Sequence, residues 1–423
     1  MQQNKTWFKL DNAAKIFPGQ NTSRWSNIFR FTVILNQKIQ PSVLEQALKD
    51  VLPRFPFYDV KIRRGLFWYY FEKNPSPAPP VNPDIGNPCH RVRFSENNRF
   101  LFRVYYHESK IAVEFYHALT DGRGASVFAC TLAAQYLRLC GYDIPCGESV
   151  LDISMPAKKE EAEDSFLKNA GSKAKIRRSG KRVYHAVGTK MPAHLVNVTT
   201  GIIPLNTIHE KASSMGVTIT EFIAALLLYV HYEKQKAEKR RQRQVSVQIP
   251  VSLRKTFGSQ TLRNYSLSYQ VRIDPNMGDY TFEEVLKQVS LYLRYINNEK
   301  TLRAMTTANL KFEQSYLMRL MPLFLKDLGV GIMFFLTGEQ STSALCSNLG
   351  LVRIPEPMQR YVERVDLMAG PGKLNGARCG AVGYNNVFSI TFANIYRESD
   401  IERAFFTSLI KMGIPVKIES NRM

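Results

Sequence analysis

A histidine and an aspartate lie four residues apart in the segment YHALTDG, which covers residues 116–122. The imidazole of His117 has an ordinary pKa of about 6.5, so at neutral pH it can take a proton as a general base. The carboxylate of Asp121 can hold the same loop in shape or cap a following helix. The chemistry that this pair indicates is proton abstraction from an acceptor group. A structural histidine followed by a capping aspartate is the alternative, because the H-x-x-x-D-G spacing arises easily by chance.

The patterns around this pair predict that His117 stands at the end of a β-sheet. Residues 100–106 and 111–116 have the composition of two strands joined by a turn. Apolar residues at helical spacing between positions 125 and 139 predict a helix after the motif. Gly122 and Gly124 permit a tight turn between strand and helix. A side chain placed in this way can face a cleft.

The rest of the chain alternates between strand-like and helical patterns, which predicts a mixed α+β fold. Strands are predicted for residues 28–35, 67–71, 195–204, 245–250, 265–273 and 380–393, and helices for residues 41–48, 220–232 and 282–297. The segment 75–88 holds six prolines and is predicted to be a loop. Residues 158–182 are polar and strongly basic, so they predict an exposed linker with little to bury.

The motif HxxxDG at residues 117–122 resembles that of the chloramphenicol-acetyltransferase-like superfamily. This superfamily includes CoA-dependent alcohol acetyltransferases, plant hydroxycinnamoyl-type acyltransferases and the condensation domains of nonribosomal peptide synthetases. Residues 211–226, 249–254 (IPVSLR) and 347–350 (SNLG) are similar to later family motifs, in the same order. The likeness spans residues 25–395 and is greatest to the alcohol-acetyltransferase and condensation-like branch. Tyr116 stands where condensation domains carry the first of two histidines, which argues against peptide-bond formation.

The resemblance implies an α+β fold, a mixed-sheet α/β sandwich made of two chloramphenicol-acetyltransferase-like domains with an active-site tunnel between them. An N-terminal domain at residues 1–157 would carry the HxxxDG motif. A basic linker would follow at residues 158–186, and a C-terminal domain would occupy residues 187–423.

The resemblance also implies an enzyme, an acyltransferase of the EC 2.3.1 type. It would move an acyl group, acetyl or another short chain, from a CoA thioester to a hydroxyl or an amine. His117 would act as general base, without a covalent enzyme intermediate. In the family, the aspartate at the position of Asp121 is structural: it points away from substrate and pairs with an arginine. Gly122 completes the motif.

Four further residues are candidates for supporting roles. Arg254 is the candidate partner of Asp121, although an exposed surface arginine is the plain alternative. The oxyanion of an acyl-transfer intermediate needs a hydrogen-bond donor about 3 Å away. Asn264, Ser347 and Asn348 are the candidates for that donor. For Asn264 and Asn348 the alternative is a turn amide bonded to its own backbone.

The formal net charge is +21, from 57 Lys and Arg against 36 Asp and Glu. Such an excess attracts anions, here the phosphates of acyl-CoA, an acidic acyl carrier protein or an anionic membrane surface. Nucleic acid is not an expected partner, because the sequence carries no nucleic-acid-binding motif.

We expect acyl-CoA as co-substrate, a small-molecule or lipid-like alcohol or amine as acceptor, no permanently bound cofactor, and a monomer. An enzyme that draws its acyl group from a carrier protein, and a non-catalytic binding protein that keeps the fold, remain alternatives.

Cysteine usage and apolar stretches bear on the cellular compartment. The six cysteines are scattered without a CxxC pair, so neither a disulfide framework nor a zinc site is expected. Residues 1–7 lack the apolar run of a signal peptide. Residues 317–336 are apolar but interrupted by Arg319, Pro322 and Lys326, which makes a poor membrane span. We interpret 317–336 as a buried helix followed by a strand, with an amphipathic surface that touches lipid or an apolar substrate as the alternative. The expected location is the cytoplasm, with peripheral membrane attachment as the variant.

Overall fold

The computed structural model describes residues 7–22, 26–173, 180–192, 195–238, 241–374 and 376–422. Fifteen strands form within these ranges: β1 (Trp7–Lys9), β2 (Ile28–Leu35), β3 (Val60–Arg64), β4 (Tyr69–Lys73), β5 (Val81–Pro83), β6 (Phe102–His107), β7 (Lys110–Tyr116), β8 (Asn197–Pro204), β9 (Val245–Ser252), β10 (Ser266–Ile273), β11 (Ala344–Val352), β12 (Val362–Met368), β13 (Ala377–Tyr384), β14 (Val387–Asn394) and β15 (Lys417–Ser420). The same ranges contain twelve α-helices: α1 (Pro41–Val51), α2 (Gly122–Leu139), α3 (Ser165–Lys168), α4 (Leu205–Ser214), α5 (Ile219–Ala237), α6 (Arg254–Phe257), α7 (Phe282–Ile296), α8 (Glu299–Gln314), α9 (Tyr316–Leu320), α10 (Leu323–Phe334), α11 (Glu356–Gln359) and α12 (Asp400–Lys411).

A five-stranded sheet in the order β12-β2-β7-β6-β5 forms the N-terminal half of the molecule. Strand β7 pairs antiparallel with both β2 and β6, and Phe31 lies opposite Val113. Apolar side chains of this sheet, of α1 and of α2 share one buried core. The predicted strand pair and the helix after the motif are confirmed, and β7 leads directly to the HxxxDG segment.

The proline-rich segment 75–88 was predicted to be a loop, but part of it forms a strand. Residues Val81–Pro83 form β5, which pairs in parallel with β6. β5 lies at the edge of the sheet, where a missing N–H disrupts no central ladder. Proline content therefore marks an edge strand here.

A seven-stranded sheet in the order β10-β9-β11-β13-β14-β8-β15 forms the C-terminal half. Strand β11 is parallel to both of its neighbours, whereas the other pairs of this sheet are antiparallel. Helix α5 is a core helix of this half, and Thr218 and Glu221 form a capping box at its start. The mixed sheets and their helices place the chain in the predicted α+β class.

One strand links the two halves. β12 follows the C-terminal strand β11 in sequence, yet it pairs antiparallel with β2 at the edge of the N-terminal sheet, with Val365 opposite Val33. A single cut in the sequence therefore does not separate the two sheets. The limits 1–157 and 187–423 stay predictions.

The predicted exposed linker is wrong for its first part. Glu161 is buried and accepts two hydrogen bonds from the guanidinium of Arg54, at 2.6 and 2.7 Å. Phe166 of α3 is also buried, in the C-terminal core. A charge run does not reveal that one of its carboxylates meets a buried arginine. Residues 174–179 of the basic run lie outside the described residues.

Residues 317–336 do not form a buried helix followed by a strand. They form α9, α10 and the start of a π-helical turn, Phe335–Glu339, and many of their apolar side chains are exposed. The apolar composition of this segment predicted a helix, but it could not show that one face of the helix is left uncovered by the other described residues.

Among all the residues that the structure describes, no single helix is long and apolar enough to cross a membrane. Helices α4 and α5 meet that test only as a pair, across a bend of 81°.

Candidate active site

His117 stands at the carboxyl end of β7, where the chain turns toward α2. Its backbone N–H donates to the carbonyl of Asn27 at 2.8 Å, and the N–H of Leu119 donates to the carbonyl of Tyr116 at 2.8 Å. This tight turn ends at Asp121, whose side chain caps α2 by accepting from the N–H groups of Arg123 and Gly124. The strand, the turn and the cap together fix the position of the His117 ring.

Two aromatic rings pack on the imidazole of His117. Phe17 stacks on it with the ring centroids 4.8 Å apart, and Phe29 lies at 4.9 Å in a tilted arrangement. Burial lowers the pKa of His117 below the ordinary histidine value. The imidazole is therefore neutral at pH 7, which is the state that a general base requires.

Asn264 makes the polar contact that defines the protonation of this ring. Its Oδ1 lies 3.1 Å from Nδ1 of His117. Its Nδ2 lies 3.4 Å from Oδ2 of Asp11 and 3.4 Å from the carbonyl of Ala118, two acceptors that fix the orientation of the amide. Because the amide oxygen can only accept, Nδ1 of the neutral imidazole carries the proton. The lone pair is then left on Nε2.

Asp121 and Arg254 form the ion pair that the resemblance implied. Oδ1 accepts from Nη2 of Arg254 and Oδ2 from Nη1, both at 2.9 Å, and Oδ2 also accepts from the N–H of Tyr265 at 2.9 Å. Burial alone would raise the pKa of Asp121, but the Arg254 guanidinium outweighs it and the net shift is downward. The carboxylate thus joins the start of α2 to α6, through Arg254, and to the segment between α6 and β10, through Tyr265.

Asp11 is a site residue that the sequence analysis missed. It is fully buried, contacts Asn264, and lies 3.6 Å from Nε of Arg263. Burial raises its pKa, and Arg263 offsets part of that shift. Phe17 and Phe29 were missed as well. No motif flags these residues. Asp11 and Phe17 reach the site through the path of the N-terminal segment, and Phe29 reaches it through the pairing of β2 with β7.

Gly122, which completes the motif, and Gly124, two residues after it, have different packing. A Cβ on Gly122 would meet only Cδ1 of Leu349, at 3.2 Å. A Cβ on Gly124 would lie 2.0 Å from the carbonyl oxygen of Leu262 and 2.1 Å from Oγ1 of Thr120. Both glycines were expected to permit a tight turn, but Gly124 instead allows a close approach between α2 and the β9–β10 connection.

The SNLG segment forms a bulge in β11. The register against β13 shifts between Asn348 and Leu351, and Gly350 adopts a φ of 81°. Asn348 donates to Oγ1 of Thr220 at 2.9 Å and accepts from the N–H of Gly350 at 2.9 Å. Its amide therefore holds the bulge against α5. Ser347 lies opposite Gly380 in the parallel ladder, and its role as an oxyanion donor stays a prediction.

The described residues contain no group of three or more His, Cys, Asp or Glu side chains that could hold a metal ion. What the arrangement offers instead is a neutral imidazole with a fixed tautomer. This imidazole lies where the two halves of the molecule meet. The N-terminal half contributes His117 and Asp121, and the C-terminal half contributes Asn264 and Arg254. Such a base can take a proton from a hydroxyl or an amine.

Neither a protein-family model nor a curated protein matches the sequence. Solved structures match it along nearly its whole length. Polyketide synthase associated protein 5 from Mycobacterium tuberculosis is 14% identical with a TM-score of 0.59, and the match covers 95% of this chain and 96% of that one. The trichothecene 15-O-acetyltransferase TRI3 from Fusarium sporotrichioides is 12% identical with a TM-score of 0.59, over 97% and 96% of the two chains.

Condensation domains match to the same degree. The first condensation domain of the CDA synthetase is 13% identical with a TM-score of 0.60, over 97% of each chain. The starter condensation domain of rhizomide synthetase, in complex with C8-CoA and Leu-SNAC, is 13% identical with a TM-score of 0.58, over 96% and 94%. The chain therefore has the fold shared by CoA-dependent acyltransferases and condensation domains. The active-site tunnel that the resemblance implies stays a prediction.

Proposed function

We propose that this protein is an acyltransferase that moves an acyl group from a CoA thioester to a hydroxyl or amine acceptor. The observation that carries the proposal is the bond from Nδ1 of His117 to Asn264, which leaves Nε2 as a base between the two halves of the molecule. The fold supports it, because a trichothecene acetyltransferase and condensation domains share it.

The proposed reaction is an addition followed by an elimination, each coupled to a proton transfer at His117. Nε2 of His117 takes the proton of the acceptor as the acceptor's oxygen or nitrogen attacks the thioester carbon. The tetrahedral intermediate then expels the CoA thiolate, which receives that proton back from Nε2. General base catalysis of this kind contributes about 10²–10⁴-fold. Holding both substrates in line contributes much of the remaining acceleration.

In this mechanism Asp121 supports the base from a distance. Both of its oxygens accept hydrogen bonds from Arg254, and Oδ2 also accepts from the N–H of Tyr265. The carboxylate therefore holds the loop that carries His117 in place. Asn264 orients the imidazole by accepting the Nδ1 proton. We assign Asp121, Arg254 and Asn264 to positioning, and His117 to proton transfer. Ser347 is our candidate for the hydrogen bond to the oxyanion.

The donor is proposed to be acyl-CoA itself. A structural neighbour was solved in complex with C8-CoA, and the net charge of +21 favours a phosphorylated substrate. A carrier-protein donor is the second candidate, because several neighbours are condensation domains of synthetases. The two donors carry the same thioester, so the proposed role of His117 is the same with either.

Thiol release from acyl-CoA tests the proposal. The purified protein is assayed with acetyl-CoA and longer acyl-CoA donors against a panel of alcohols and amines. We expect acceptor-dependent release of CoA, and loss of at least a hundredfold in His117→Ala. His209→Ala, an exposed histidine on α4, is the matched control and should retain wild-type turnover. Release that is equal in wild type and His117→Ala would refute the assignment.

A second assay separates the two donors. If an acyl carrier protein is required, CoA thioesters will be inert while the same acyl group on a carrier is transferred. Binding to an acidic carrier would also weaken steeply as salt rises. Inertness with both donors, across the acceptor panel, would favour the non-catalytic alternative.

A further inference from the structure

Helices α9 and α10 and the π-helical turn after them present a face of exposed apolar side chains. Nine large apolar residues within positions 316–336 are exposed: Tyr316, Leu317, Leu320, Phe324, Leu325, Leu328, Ile332, Phe335 and Leu336. The turn between β3 and β4 adds exposed Leu66 and Phe67 beside them. We call these eleven residues the apolar helical face.

The apolar helical face rests on a well-anchored base. Leu323 and Lys326 are buried on the inner side of α10; the N–H of Leu323 donates to the carbonyl of Leu66, and Nζ of Lys326 donates to the carbonyl of Phe67. Nζ of Lys326 also sits 3.7 Å from the ring centroid of Trp68. These contacts fix α10 in place, so its outer side faces solvent. The solvent-facing side of a surface helix usually carries polar residues, and a large exposed apolar patch marks an interaction site.

Basic groups outnumber acidic ones around this face. Arg319 lies on it and is exposed. The Arg64 side chain at its edge is 61% exposed, and its Nη2 lies 4.0 Å from Oδ2 of Asp327, which also accepts from the hydroxyl of Tyr69 at 2.8 Å. Glu313 is ion-paired with Lys15. Together with the net charge of +21, this gives the face a positive rim.

We propose that the apolar helical face docks this protein on an anionic lipid bilayer. In that arrangement α9 and α10 lie in the plane of the interface, with Phe324 and Leu328 among the acyl chains and Arg319 and Arg64 at the headgroups. A second copy of this chain fits less well. An isologous contact would bring one positive rim against another.

Docking would place the candidate active site close to the bilayer. Backbone atoms of Asp327 in α10 pack against Gly19, which lies two residues from Phe17, the ring stacked on His117. An acceptor or acyl chain that partitions into lipid would then be concentrated beside the site. That consequence rests on the proposed function, whereas the docking itself does not.

Vesicle co-sedimentation with the intact chain tests the proposal. Vesicles are made of phosphatidylcholine alone or of phosphatidylcholine with phosphatidylserine. We expect binding to the anionic vesicles to be at least tenfold stronger, and to weaken as salt rises. Phe324→Glu/Leu328→Glu should lower that binding at least tenfold, because two apolar side chains no longer enter the membrane. Arg319→Gln should lower it about fivefold.

The matched control is Leu291→Glu/Tyr295→Glu. These residues are 58% and 78% exposed on α7, against 61% and 63% for Phe324 and Leu328 on α10, and each pair is spaced four residues apart. The control should bind vesicles like wild type, and circular dichroism should show all variants folded. The proposal is overturned if wild type ignores anionic vesicles, or if the control loses binding equally. Dimerisation in sedimentation velocity that the α10 variant abolishes, without vesicle binding, would assign the face to a second copy.

Wild-type thiol release on water-soluble substrates separates the two proposals. If Phe324→Glu/Leu328→Glu loses vesicle binding but releases CoA at the wild-type rate, docking is supported independently of the chemistry. If the wild-type protein binds anionic vesicles and releases no CoA, docking stands and the proposed function fails.

Discussion

Nδ1 of His117 lies 3.1 Å from Oδ1 of Asn264, a residue 147 positions further along the chain. This single contact joins the two halves of the molecule at the candidate base. It also fixes the tautomer, since the amide oxygen can only accept the Nδ1 proton. Phe17 stacks on the same imidazole and Phe29 packs against it at a tilt, so its orientation depends on three separate segments.

We predict that Asn264→Ala lowers kcat about tenfold to a hundredfold with little change in KM. Without the acceptor, the imidazole loses its preferred tautomer and rotates more freely, but the base itself remains. Steady-state kinetics of thiol release measure the change. Asn276→Ala, an exposed asparagine outside the site, is the control and should match wild type. A wild-type kcat in Asn264→Ala would contradict the positioning role.

We predict that Asp121→Asn loses activity and stability together. An amide at this position meets donors from Arg254 and Tyr265, so at least one buried bond is lost. Removing one partner of a buried ion pair typically costs about 3–5 kcal/mol. Urea unfolding measures the stability, and thiol release the turnover. Glu299→Gln, which breaks an exposed pair with Arg303, is the control and should cost under about 1 kcal/mol. Wild-type turnover in Asp121→Asn would refute the structural role of this carboxylate.

The pH dependence follows from the lowered pKa of His117. The neutral imidazole is the active form, so kcat/KM should rise with pH through that pKa and then level off. Because burial lowers the pKa, the midpoint should lie below the ordinary value of about 6.5. At pH 7 the rate should therefore be closer to its plateau than an imidazole with the ordinary pKa would allow. A midpoint above 6.5 would mean that another group controls the acid limb.

The same shifts set the sign of the stability change. Folded-state pKa values of His117 and Asp121 are both lowered, so both groups bind protons more weakly in the folded state. Each contributes stability that is present above its unfolded pKa and is lost as pH falls through the folded pKa. Asp121→Asn should accordingly flatten the acid limb of the unfolding free energy. Urea unfolding at a series of pH values measures that limb.

Local patterns predicted the elements near the site well. The strand composition before His117 predicted β7, and the helical spacing after Gly124 predicted α2. The glycines between them predicted the turn that joins this strand to this helix. The family resemblance supplied the partner Arg254, which no spacing rule could connect to a residue 133 positions away. A strand or helix can be predicted from a single sequence when its apolar residues recur at every second position or at every third to fourth position.

Contacts made by the tertiary fold were not predictable in this way. Asp11 and Phe17 carry no motif and reach His117 or Asn264 only through the path of the N-terminal segment. No strand was predicted for the residues of β12, and their local sequence does not show that they join the sheet of the other half. For α10 the composition was apolar, and apolar composition is the same whether a helix is covered or exposed. Which surface faces solvent is decided by neighbours that the local sequence does not contain.

The last prediction separates Gly122, the final residue of the motif, from Gly124, two residues after it. Gly124→Ala places a methyl group 2.0 Å from the backbone oxygen of Leu262, which side-chain rotation cannot relieve. Helix α2 or the β9–β10 connection must then shift, and overpacking of this kind costs about 1–3 kcal/mol or more. Because that connection carries Asn264, we also expect turnover to fall.

Gly122→Ala is the matched control for this prediction. Its methyl group would meet only a terminal carbon of the Leu349 side chain at 3.2 Å, and that side chain can move. We expect an unfolding free energy within about 0.5 kcal/mol of wild type, and turnover close to wild type. Urea unfolding and thiol release measure both variants side by side. If Gly122→Ala is the more damaging of the two, then Gly122 has a role in substrate approach that its packing does not show.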